Sequence, residues 1–95
     1  MIERQSFASV WDAIEDTPAE AENMKLRAEL MRAILAHTEG WSGSDAEKAR
    51  RLGITAPRFS NLKGGRINAF SLDALVGLAV AAGLHVTLAI SNQAA

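Results

Sequence analysis

The segment from Ser44 to Gly65, SDAEKARRLGITAPRFSNLKGG, constrains the fold of this chain more than any other. Two short helices cross closely at a steep angle only where the first offers a small side chain and the turn accepts a left-handed backbone. Ala49 and Gly53 meet those two requirements, and Ile54, Phe59 and Leu62 form an apolar row that seats the second helix. Ser44 and Glu47 make an S-x-x-E capping box that opens the first helix, and Gly53 closes it. Thr55 caps the second helix, Pro57 falls in its first turn where a missing N–H costs little, and Gly64-Gly65 ends it. The pattern predicts a helix-turn-helix with Thr55, Ala56, Arg58 and Asn61 on the outward side of its second helix.

Charge is partitioned along the chain in a way the formal net charge of −1 conceals. Residues 1–47 hold ten acids against Arg4, Lys25, Arg27 and Arg32, a balance of −6. Residues 48–72 hold Lys48, Arg50, Arg51, Arg58, Lys63 and Arg66 with no acid, a balance of +6, and Asp73 carries the rest. The concentrated positive charge therefore falls on the helix-turn-helix, as expected of a surface that meets a polyanion such as double-stranded DNA.

Ninety-five residues with 48% hydrophobic content suffice for one small globular domain. There is no cysteine, hence no disulfide framework and no thiolate metal site. No apolar run reaches the roughly 20 residues of a membrane span, and residues 1–16 lack the form of a signal peptide, so the expected location is the cytoplasm, with no membrane partner. His37 and His85 stand far apart without a ligand-spaced partner, and no nucleophile sits beside a base in a recognisable motif. Neither a cofactor, a metal nor an enzymatic activity is expected.

The rest of the chain reads as helical until near its end. Phe7, Val10, Trp11 and Ile14 form the apolar stripe of a short N-terminal helix, which packs on its own domain or presents that stripe to a partner protein. Thr17 caps a second helix from Pro18 to about His37, with Met24, Ala28, Met31 and Leu35 on one face and Leu30 and Ile34 beside them. Ser71 opens a last helix whose Leu72, Leu75, Val76 and Ala79 pack on the helix-turn-helix, and Gly83 ends it. From His85 to Ile90 the period changes to alternation, with Val86, Leu88 and Ile90 on one face of an expected strand. A lone strand leaves its edges unpaired. Its simplest partner is the same strand of a second copy, giving a homodimer; the alternatives are a frayed tail or pairing with the N-terminal residues. The divisions are thus 1–17, an N-terminal amphipathic helix; 18–84, the helix-turn-helix domain; and 85–95, strand and tail.

Residues 40–90 resemble the XRE, or Cro/CI-type, helix-turn-helix regulators, particularly HigA-like and HipB-like antitoxins. The resemblance rests on Ala49, Gly53, Phe59 and Leu62, the Ser60-Asn61-Leu62 run before Gly64-Gly65, the segment from Phe70 to Leu75, and the segment from Ala82 to Leu88. It implies an all-α, five-helix lambda-repressor-like domain with a C-terminal strand paired across a dimer. It also implies a repressor that occupies a palindromic operator of its own operon and holds a toxin protein. Three positions depart from the family pattern: Asp45 and Ala56 stand where glutamines commonly touch a phosphate and a base, and Lys48 replaces a residue that is usually small or apolar.

Base contacts are accordingly expected from Arg58 and Asn61, with Ala56 against a thymine methyl. Thr55, Ser60, Lys63 and Arg66 are the expected phosphate contacts, joined by Arg50 or Arg51. The alternative function is a toxin-neutralising interaction module whose helix-turn-helix has lost specific reading.

Overall fold

In a computed structural model of the chain, residues 17–92 are described. Four α-helices follow one another: α1 (Pro18–Glu39), α2 (Asp45–Leu52), α3 (Ala56–Lys63) and α4 (Leu72–Ala81), with a 3₁₀ turn at Ile67–Ala69 before α4. The N-terminal helix expected over Phe7, Val10, Trp11 and Ile14 lies outside the described residues.

Each helix begins where local chemistry dictates. The Thr17 hydroxyl accepts the Glu20 N–H at 3.1 Å, with Pro18 at the first helical position of α1. Ser44 accepts the Glu47 N–H at 3.2 Å while the Glu47 carboxylate accepts the Ser44 N–H at 2.8 Å, so the capping box is complete. Thr55 and Ser71 cap α3 and α4 in the same manner. At the turn between α2 and α3, Gly53 has φ 81° and lets the Ile54 N–H reach the Ala49 carbonyl at 2.9 Å. A Cβ built on Gly53 meets nothing within 4 Å, so the glycine is required for its backbone conformation and not for space.

One core joins the four helices. Met31 and Ile34 of α1, Ala49 and Leu52 of α2, Phe59 and Leu62 of α3, Phe70, and Leu75, Leu78, Ala79 and Ala82 of the α4 region are all buried. α1 packs mainly along α4, and α2 mainly against α3. The stripe that α1 turns inward is Arg27, Met31, Ile34 and Thr38; of the expected row Met31 and Ile34 are buried, Ala28, Leu30 and Leu35 are half-buried, and Met24 is 37% exposed. The stripe's two polar members are satisfied at its ends. The buried Thr38 hydroxyl donates to the Leu35 carbonyl at 3.0 Å, and Arg27 Nη1 donates to the carbonyls of Ile67 at 2.8 Å and Phe70 at 3.3 Å. On α4, Leu78 occupies the core position expected of Val76, which faces solvent because α4 has apolar residues around much of its circumference.

Residues 84–92 belong to no helix, and no strand is present among the described residues. The strand expected over Val86, Leu88 and Ile90 is not formed, since a strand needs a second backbone for its hydrogen bonds and no such segment is described within the chain. Residues 84–88 instead border an apolar groove of about 640 Å³ between α1 and α4, with Leu26, Leu30 and Val76 among its walls. No helix among the described residues is long and apolar enough to cross a membrane.

Candidate nucleic-acid interface

The rotation of α3 is fixed by Phe59 and Leu62, which are 2% and 0% exposed. At 100° per residue the side opposite that pair is occupied by Pro57, Ser60, Asn61 and Gly64. Ser60 is thus central to the outward face and not marginal to it, with Asn61 half-buried beside it and Ala56 and Thr55 exposed at the helix start. The face is small and polar, so the α3 backbone can approach another surface closely.

Arg58 lies closer to the core than the sequence pattern suggested. It is half-buried, its Nη1 donates to the Ala69 carbonyl at 2.9 Å, and its guanidinium stands 4.3 Å above the centre of the Phe70 ring. It is only about 70° from the centre of the buried side of α3, near enough to reach the connection into α4. Arg27 grips the same connection from α1, so the two arginines together donate to the carbonyls of Ile67, Ala69 and Phe70. Arg27 escaped sequence reasoning; its position four residues before Met31, on the buried stripe, was the available sign.

The remaining cations divide into held and exposed. Lys63 Nζ donates to Asp45 Oδ2 at 2.7 Å, across from the start of α2. The Arg51 guanidinium stands 3.9 Å over the Trp41 ring, which in turn meets His37 edge-on, so this arginine braces the joint between α1 and α2. Lys48 is half-buried in a cleft shared with Glu39, Asp45 and Lys63. Arg50, late in α2, and Arg66, just past α3, are exposed. Arg66 folds back along Gly64, where a Cβ would come within 3.7 Å of its Nε.

The structure thus places Ser60 and Asn61 on the outward side of α3, with Thr55 and Ala56 exposed at its start, Arg50 exposed on α2 and Arg66 exposed just past α3. Val86, Leu88 and Ile90 lie on the tail that borders the α1–α4 groove, whose lining includes none of the cations between 48 and 66. A family model described as a helix-turn-helix domain matches residues 13–91. The chain belongs to this helix-turn-helix family. No curated protein and no solved structure matches it. Within a helix-turn-helix domain the second helix of the motif is the element that enters the major groove of DNA while the first crosses the backbone. In this chain the two helices of the motif are α2 and α3, in that order.

Proposed function

We propose that this helix-turn-helix protein is a sequence-specific DNA-binding repressor that acts as a homodimer on a palindromic operator. The observation that carries the reading is the outward side of α3, where Ser60 and Asn61 stand with Thr55 and Ala56 exposed at the helix start, in a motif whose Arg50 and Arg66 are also exposed. Asn61 reads a base edge, with Ser60 next to it and Ala56 against a thymine methyl. Thr55, Arg50 and Arg66 bond phosphates and set the register on the duplex. Arg58 supports the face from behind.

Two copies place two α3 helices in successive major grooves, with half-sites about 34–36 Å apart. The dimer forms through residues 85–92, whose Val86, Leu88 and Ile90 are 40%, 79% and 84% exposed in the single chain and alternate as a pairing strand requires. The likeness to HigA-like and HipB-like regulators supports a role as the antitoxin of a toxin–antitoxin pair that represses its own operon.

The test is fluorescence anisotropy with the DNA upstream of the protein's own reading frame and a scrambled duplex of equal length. A preference for the native duplex of about a thousandfold supports the reading. Equal, weak binding to both duplexes favours a second reading, a toxin-neutralising module that docks a partner in the apolar α1–α4 groove.

A further inference from the structure

Two of the six cations between residues 48 and 72 share one small cleft with two acids. The cleft, about 250 Å³, is walled by Leu35, Thr38 and Phe59 and carries Glu39, Asp45, Lys48 and Lys63. Asp45 is the first residue of α2, where the partial positive charge of the helix end favours a carboxylate. Glu47, the other acid of that turn, accepts the Ser44 N–H in the capping box. Asp45 is therefore the first-turn acid that meets Lys63, and it does so at 2.7 Å from a position 18 residues away in sequence.

We propose that Asp45 is a positioning residue that withholds Lys63 from the DNA backbone and thereby sets the strength and salt dependence of binding. The inference rests on the DNA-binding reading above and adds to it. Lys63 is the last residue of α3 and its side chain is half exposed, so its long stem can carry the ammonium to a phosphate of a duplex docked on that helix. A carboxylate already in contact with that ammonium competes with the phosphate for it. Both side chains are half in water, at 50% and 57% exposure, so the pair competes with a phosphate by only a few-fold in affinity. The consequence is one phosphate contact per protomer weaker than the charge count suggests, which lowers binding on all sequences alike.

The experiment measures binding of wild type, Asp45→Asn, Lys63→Gln and the double variant to the upstream duplex and to its scrambled counterpart, from 50 to 200 mM salt. Asp45→Ser is a second release variant with a small polar side chain at the first helical position. Either release variant is expected to bind both duplexes roughly two- to fivefold more tightly. The slope of log K against log salt steepens by about 0.9 for each phosphate newly neutralised. Lys63→Gln alone costs less than about twofold, and in the Asp45→Asn background it abolishes the gain. The proposal is overturned if the gain survives without Lys63, if Lys63→Gln is as costly in the wild type as in the released background, or if neither release variant changes the slope. Binding by the wild type separates the two failures: a wild type and release variants that bind no duplex remove the DNA reading itself, whereas a wild type that binds with an unresponsive Asp45 removes this inference alone.

Discussion

The Arg58 guanidinium lies 4.3 Å above the Phe70 ring and donates to the carbonyl just before it, so an arginine of α3 closes the connection into α4. The role proposed for it is to hold α3 at its angle. Arg58→Ala is therefore expected to lower stability by about 2–4 kcal/mol, the combined scale of a partly exposed cation–π contact and one charge-assisted hydrogen bond. Urea unfolding followed by circular dichroism checks this. A loss of discrimination at a single base pair with unchanged stability would return Arg58 to base reading.

Asn61 and Arg66 are expected to fail in different ways. Asn61→Ala removes a base contact, costing about 1–3 kcal/mol on the native duplex and relaxing preference at one position. Arg66→Ala removes a phosphate contact, weakening binding equally on native and scrambled duplexes and flattening the salt slope by about 0.9. Anisotropy on single-substituted operators separates the two patterns.

At Gly53, with φ 81° and open space around the missing side chain, the cost of substitution is conformational alone. Gly53→Ala is expected to destabilise the protein by about 1–2 kcal/mol, and Gly53→Asn by less, since Asn tolerates the left-handed region. For a domain of this size each kcal/mol is about 4–8 °C of Tm, which differential scanning calorimetry resolves. Equal melting of the Ala variant and the wild type would mean the α2–α3 turn rearranges.

Ending the chain after Leu84 removes Val86, Leu88 and Ile90, the exposed alternating residues assigned to the dimer. Sedimentation equilibrium is expected to report the mass of one shortened chain where the wild type reports two chains, with weaker binding to a two-half-site operator and unchanged binding to one half-site. An unchanged mass assigns dimerisation elsewhere.

What was legible in the sequence was local. Thr17, Ser44 with Glu47, Thr55 and Ser71 announce helix starts because a cap and its N–H partner lie three residues apart. Gly53 announces the turn because one residue carries the left-handed conformation. What was not legible depends on contacts across the fold. Arg58 meets Ala69 eleven residues on, Lys63 meets Asp45 eighteen residues back, and Arg27 meets Ile67 forty residues on. Helix rotation was also hidden where apolar residues surround the helix, which is why Leu78 and not Val76 fills the core of α4. The alternation at 85–90 was visible, but a strand is a property of two backbones and the described residues offer one.

The central claim, that the outward face of α3 meets DNA, is tested most directly by titrating the upstream duplex into ¹⁵N-labelled protein and following amide shifts. The account predicts that the largest changes fall on Thr55, Ser60, Asn61 and Gly64, with smaller ones at Arg50 and Arg66 and little along Leu26, Leu30 and Val76 in the α1–α4 groove. Changes confined to that groove, or none on α3 under saturating duplex, would contradict it.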